Sequence, residues 1–141
     1  MSRRFRIGIV GSREFAAGSK IRKLIYESIK NLGKENIEIV SGGQRKGADG
    51  MAKKYAMELG VNYVEFPPAH YSWNSHCIKE AYHYGKEYRV WYYNDRNTEI
   101  AEYSDAVICF LPIGWDITQS KGTNDTYTKA TKLGKVVKIV N

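Results

Sequence analysis

Apolar positions along this chain alternate between two spacings, short β-branched runs and longer stretches with a helical repeat. Arg6-Ile7-Gly8-Ile9-Val10 reads as a strand that ends in the turn Gly11-Ser12-Arg13. Ile21, Leu24, Ile25, Ile29 and Leu32 then recur at helical spacing, with Gly33 as the stop. Ile37 to Val40 is a second strand, closed by Ser41-Gly42-Gly43. Ala48, Met51, Ala52, Tyr55, Ala56 and Leu59 follow the repeat of one helix face, and Gly60 ends it. Val61 to Phe66 is a third strand, cut off by Pro67-Pro68. A third helix starts near Asp95 and runs through Ile100 and Ala101, and the strand Ala106 to Leu111 follows it. A fourth helix over Thr126, Tyr127, Ala130 and Leu133 stops at Gly134, and Val136 to Val140 is the last strand.

Strand and helix alternate throughout, which predicts a single Rossmann-like α/β domain over residues 1–141 with three layers. Its sheet is mainly parallel with about five strands, and helices cover both faces. The irregular stretch 67–94 is long for a connection and predicts a lid or a helical, aromatic insert.

Ligands of open parallel sheets bind beyond the carboxyl ends of the strands. Three of those ends carry glycine-rich or polar turns here. Gly11-Ser12-Arg13 follows the first strand, and Ser41-Gly42-Gly43-Gln44-Arg45-Lys46-Gly47-Ala48-Asp49 joins the second strand to the second helix. Gly114 to Thr123 follows the fourth strand, and Gly122-Thr123 opens the fourth helix. Glycines let backbone N–H groups approach a ligand, and a helix N-terminus adds partial positive charge. Arg13, Arg45, Lys46 and Lys121 lie beside these turns and can supply full charges to an anion. Asp49 has two readings, a helix-start residue that satisfies backbone donors or a group that holds a ribose hydroxyl.

Composition narrows the ligand class without fixing it. Lys and Arg number 22 against 15 Asp and Glu, a formal charge of +7, which favours anionic partners. The positive charges are scattered, and the nearest thing to a basic arm is Arg3, Arg4 and Arg6, read as a solvated lead-in to the first strand. Two cysteines, Cys77 and Cys109, make no disulfide framework, and Cys109 lies in an apolar run. No apolar stretch reaches the roughly 18 residues of a membrane span. The N-terminal arginines precede no long apolar core, so no signal peptide is expected and the cytoplasm is the expected location. His70, His76, Cys77 and His83 match no standard zinc spacing. They read as helix-surface residues, and no metal or cofactor is expected.

Taken together, Val10-Gly11-Ser12-Arg13, Ser41-Gly42-Gly43 with Gly47-Ala48-Asp49 and Ala52, Phe66-Pro67, Arg96-Asn97 with Ile100, Ser104-Asp105-Ala106 and Gly122-Thr123 resemble the SLOG superfamily. Within it the chain is most similar to the small YspA/cpYpsA-related domains of bacteria and phages. DprA and the LOG phosphoribohydrolases are more distant relatives. The resemblance spans Ile7 to Val140. It implies a Rossmann-like fold that binds nucleotides or their derivatives, signalling nucleotides included. It also implies that Gly11, Ser12 and Arg13 line the pocket from the first strand, and Gly42, Gly43, Gly47 and Asp49 from the second. Arg96 and Asn97 would contribute from the third helix, and Gly122 and Thr123 would cradle a phosphate. Ser41, Lys46 and Lys121 complete the candidate ligand-binding set. The family's pockets often lie near subunit contacts, so a homo-oligomer is expected.

LOG enzymes carry Pro-Gly-Gly-x-Gly-Thr-x-x-Glu, whose Glu is catalytic. Here the first glycines are absent and Thr126 holds the Glu position. Asp125 is adjacent but turned roughly 100° around the helix axis. The Arg-Lys pair of those enzymes reads Arg96-Asn97. Cleavage of an N-glycosidic bond calls for a carboxylate at an oxocarbenium-like centre, so binding is favoured over catalysis. The expected function is therefore a binder of a nucleotide or nucleotide-derived small molecule, a sensor or a sequestering protein. The alternatives are a phosphoribohydrolase using Arg96 with Asp125, and a DprA-like nucleic-acid-binding module. The aromatics Tyr71, Trp73, Tyr82, Tyr84, Tyr88, Trp91, Tyr92 and Tyr93 suit internal packing, an interface, or stacking on bases.

Overall fold

The computed structural model describes residues 3–141. Five strands form one parallel sheet: β1 (Phe5–Gly11), β2 (Ile37–Ser41), β3 (Asn62–Glu65), β4 (Ala106–Phe110) and β5 (Val136–Val140), in the order β3-β2-β1-β4-β5. Four helices connect them: α1 (Gly18–Leu32), α2 (Gly47–Leu59), α3 (Trp91–Tyr103) and α4 (Lys121–Lys132). The architecture is a Rossmann-like α/β sandwich.

Period-two alternation along the strands sends side chains to two separate cores. Ile7 and Ile9 of β1, with Ile37 and Ile39 of β2, face α1 and α2 and meet Ile21, Ile25 and the alanines 48, 52 and 56. Those three alanines are fully buried at a four-residue spacing, so α2 lies close on the sheet. Val10, Val40, Val107 and Cys109 point the other way, against Ile100 and Ala101 of α3 and Ala130 of α4. Burial pushes the Cys109 thiol up to about 12, so it stays a protonated core side chain. Completely burying one such aliphatic side chain stabilises the fold by about 1.5–3 kcal/mol.

β1 lies at the centre. It pairs with β2 on one side and with β4 on the other, Val10 opposite Cys109 and Gly11 opposite Phe110. The first half of the chain builds outward from β1 to β3, and the second half starts again from β1 and builds outward to β5. The sheet therefore has a switch point between the carboxyl ends of β1 and β4.

The stretch after β3 forms no helical hairpin. Residues 67–90 are coil with one short 3₁₀ turn, Ala81–His83, and α3 starts at Trp91 rather than near Asp95. The coil clasps the free edge of β3: the Glu65 N–H donates to the His76 carbonyl (3.0 Å), and the Ile78 N–H donates to the Glu65 carbonyl (3.3 Å). The buried Glu65 carboxylate accepts from the Tyr63 hydroxyl (2.9 Å) and from Asn74 Nδ2 (2.8 Å), which fixes the coil to the strand end. The histidines are not on α-helix surfaces. The His70 ring sits among Tyr71, Tyr88, Tyr92 and Tyr93, with centroids 4.8–6.1 Å away. His76 meets Tyr63 edge-on and His83 lies in the 3₁₀ turn beside Tyr82. Among the described residues no three His, Cys, Asp or Glu side chains come together as a metal site. Among the described residues no helix is long and apolar enough to cross a membrane.

The basic arm is tied down at the far end of β1. Arg3 donates through both terminal nitrogens to Asp105 (2.7 and 2.8 Å), and the Arg6 N–H donates to the same carboxylate (2.8 Å). The Arg6 guanidinium lies 3.7 Å above the Tyr103 ring. The Arg3 contact, helped by that N–H, holds the Asp105 carboxyl down to about 2. Because its folded value lies below the ordinary 3.8, Asp105 stabilises the fold fully above about pH 4, and that contribution disappears as the pH falls through about 2. Asp105→Asn is expected to melt below the parent at pH 6. The gap should close between about pH 4 and pH 2, read by circular dichroism melts across that range; a gap independent of pH would contradict the assignment.

Candidate functional site

A cavity of about 410 Å³ opens at the switch point, between the turns that follow β1 and β4. The sequence between Gly11 and Phe15 cannot run straight into α1. The Ser12 N–H donates to the Phe110 carbonyl (3.2 Å), and the Ser12 hydroxyl accepts the Glu14 N–H (2.9 Å), so the chain folds into a tight turn over the end of β4. Gly11, Ser12 and Arg13 all line the cavity from this turn. Gly47 has φ +67° and lies so close to the turn that a Cβ would come 2.3 Å from the Ser12 carbonyl oxygen. A glycine there lets α2 start directly against β1.

Asp49 is the third residue of α2, and Lys46 occupies the capping position. Asp49 is therefore not the capping residue itself, but from the first turn it satisfies a backbone donor as a helix-start residue does. Its Oδ2 accepts the Gln44 backbone N–H (3.3 Å) and lies 3.9 Å from Arg96 Nη1. Lys46 and Asp49 both line the cavity. Burial pushes the Asp49 carboxyl up, against the opposing pull of Arg96 and of the Gln44 N–H.

Arg96 and Asn97 reach the cavity from the middle of α3. Arg96 is 8% exposed and spans the two halves of the site. Its Nη1 donates to the Gly42 carbonyl (2.5 Å), and its Nε donates to Asn97 Oδ1 (3.1 Å). Its Nη2 makes no hydrogen bond among the described residues. Gly42 is required by this arrangement, since a Cβ there would stand 2.0 Å from Arg96 Nη1. Asn97 Nδ2 donates to Asp125 (3.1 Å), which also accepts from Lys129 (2.9 Å). Asp125 thus faces α3 and does not line the cavity.

Gly122 and Thr123, in the first turn of α4, line the remaining side. Their backbone N–H groups make no hydrogen bond among the described residues, as expected for the open end of a helix. Thr126, at the position of the LOG carboxylate, lines the cavity too, but its hydroxyl donates to the Gly122 carbonyl (3.0 Å) within its own helix.

Of the candidate ligand-binding set, nine residues surround one cavity: Gly11, Ser12 and Arg13, Lys46 and Asp49, Arg96 and Asn97, Gly122 and Thr123. Ser41, Gly42, Gly43, Gly47 and Lys121 do not line it. Ser41 is fully buried against the Tyr63 hydroxyl (2.6 Å), and Lys121 is exposed on the opening turn of α4. The cavity also takes in Glu14, Gln44, Trp115 and Gln119, which did not stand out in the sequence as ligand contacts, and Tyr93, one of the aromatics suited to stacking. Gln44 stood inside the second glycine-rich turn, so its position was visible. Of the eight aromatics singled out, only Tyr93 lines the cavity, held between the Arg13 and Arg96 guanidinium groups at 5.9 Å from each. Of the others, Tyr84 is buried beside Lys79, and the rest pack on His70 and on one another or lie exposed, Tyr82 at 71%.

The sequence model of the YspA, cpYpsA-related SLOG family matches residues 5–76, and the chain belongs to that family. The matched stretch holds β1 through β3 and the first part of the insert. Arg96 and the α4 turn lie beyond it. No curated protein matches the chain in sequence. Among solved structures, the chain is similar to the molybdenum cofactor binding protein of the phototrophic bacterium Rippkaea orientalis, at 21% identity and a TM-score of 0.65, over 99% of this chain and 77% of that one. It is also similar to the molybdenum cofactor carrier protein of Chlamydomonas reinhardtii, at 19% identity and a TM-score of 0.61, over 97% and 76% of the two chains. At such identities the likeness is one of fold.

Arg96→Met is expected to destabilise the protein by about 3 kcal/mol, because it strands the Asp49 carboxylate and the Gly42 carbonyl. Adding Asp49→Asn to that variant should return part of the loss. Urea unfolding of the parent, the two single variants and the double variant measures the coupling, and strictly additive losses would show that the pair does not interact.

Proposed function

We propose that the crevice binds a phosphate-bearing small molecule, a nucleotide or a nucleotide-derived compound, and holds it without cleaving it. The observation that carries this reading is the convergence of cations and open backbone donors on one cavity. Gly122 and Thr123 offer N–H groups unpaired among the described residues at a helix N-terminus, with Arg13, Lys46 and Arg96 in the same walls. Such groups bind phosphate well, because the helix dipole and the full charges act together.

Binding without turnover is supported by where the candidate catalytic groups go. Thr126 spends its hydroxyl on the α4 backbone, and Asp125 is engaged by Asn97 and Lys129 outside the cavity. Neither is free to act on a glycosidic bond. The nucleic-acid reading rested on the net charge and the aromatics, and of those eight aromatics only Tyr93 lines the cavity. A second ligand, the molybdenum cofactor, is favoured by the fold shared with the proteins from Rippkaea and Chlamydomonas. It too bears a phosphate, so the same donors would serve it.

The test is a thermal-shift series with nucleoside mono- and diphosphates, ADP-ribose and molybdenum cofactor, each mixture being chromatographed afterwards. A rise in melting temperature with the ligand recovered intact is expected. Arg13→Ala should weaken binding about ten-fold or more, the value of one charge-assisted contact. Release of free base would establish a hydrolase. Affinity for single-stranded DNA that falls steeply with salt would establish a nucleic-acid module.

A further inference from the structure

The end of the crevice away from α4 has a different chemistry. Gln44 lines the cavity, and its Nε2 is buried with no hydrogen-bond partner among the described residues. A buried amide donor left unpaired is costly, and few native groups are left so. The same residue is pinned to Asp49, whose Oδ2 accepts the Gln44 backbone N–H. Asp49 Oδ1 accepts no hydrogen bond among the described residues. A donor with no partner thus stands beside a carboxylate with capacity to spare, both in the wall of one cavity.

A carboxylate repels phosphate, so the phosphate of a ligand belongs at the α4 end and its other end meets Gln44 and Asp49. The geometry points to these two residues as the reader of a heterocycle edge, one that carries a carbonyl, a ring N–H and an exocyclic amino group in a row. This inference rests on the reading of the crevice as a site for phosphate-bearing small molecules. The carbonyl accepts from Gln44 Nε2, and the two nitrogens donate to the two oxygens of Asp49. Guanine and pterin rings both present this edge. Adenine does not: in one orientation its amino group faces the Gln44 donor, and in the other its ring nitrogen lone pair faces the carboxylate. Either way a buried group stays unpaired, which is the strongest form of discrimination a polar site provides. Tyr93, fixed between Arg13 and Arg96, supplies an aromatic face in the same cavity.

Binding of GMP, IMP, AMP and a pterin monophosphate to the parent protein, measured by calorimetry at one salt concentration, tests the inference. IMP lacks only the amino group, and AMP mismatches the whole edge. GMP or the pterin, or both, should bind about ten-fold tighter than IMP and about a hundred-fold tighter than AMP. Which of the two binds identifies the source of the edge. Gln44→Met, whose melting temperature reports that it is folded, should lose about ten-fold for the oxo-bearing ligands and leave AMP unchanged. Equal affinities for all four ligands, or a Gln44→Met loss shared by AMP, would overturn the edge-reading role while leaving the phosphate site standing. No binding by any of the four would overturn the phosphate site itself.

Discussion

The constraint on which the site depends is the reversal of direction at β1. One half of the chain lays its strands outward on one side of β1, with α1 and α2 on one face. The other half lays them outward on the opposite side, with α3 and α4 on the other face. Connections that leave neighbouring strands toward opposite faces cannot close over the gap between them. The β1 and β4 ends therefore bound a crevice whatever the side chains are. What the sequence adds is a set of small residues, Gly11, Gly42 and Gly47, where backbone or a guanidinium must come closer than a Cβ allows.

Arg96 turns that crevice into a site with a fixed floor. It leaves α3, crosses to the loop after β2, and binds the Gly42 carbonyl, Asn97 and the neighbourhood of Asp49 at once. A buried guanidinium is tolerable because nearly every direction it points in meets an acceptor. Arg96 lines the cavity together with Arg13 and Lys46. The polar chain continues through Asn97 to Asp125 and Lys129, so the carboxylate nearest to the catalytic position of LOG enzymes works as a strut between α3 and α4. Geometry thus divides two adjacent residues: Thr126 faces the cavity without a carboxylate, and Asp125 has the carboxylate but faces away.

Part of the aromatic segment packs internally around His70, while Trp73 and Tyr82 stand exposed. Burial and the nearby Arg96 charge pull the His70 pKa down, which favours a neutral ring in the middle of four tyrosines. That cluster involves the first turn of α3, and Tyr93 is its member that reaches the cavity. The clasp of the coil on β3 through Glu65 and Asn74 covers a strand edge that would otherwise be open.

The amino-acid sequence by itself determined the strand and helix order, the two-sided core and the edge on which ligands would sit. These follow from local periodicity and from glycines at turns, which neighbouring residues dictate. Sequence also named the Gly11 turn, Asp49, Arg96 and the α4 turn, because charged and glycine residues stand out at strand and helix ends. It did not separate lining residues from supporting ones. Ser41 and Gly43 look as exposed to a ligand as Ser12 does, yet the fold places Ser41 under Tyr63 and gives Gly42 to Arg96. The pairing of Gln44 with Asp49, the placing of His70 in an aromatic cluster, and the turning of Asp125 toward α3 were decided only by tertiary structure. Each depends on which face of an element meets which neighbour, and contacts between residues 54 positions apart, as Gly42 and Arg96 are, leave no local trace in the chain.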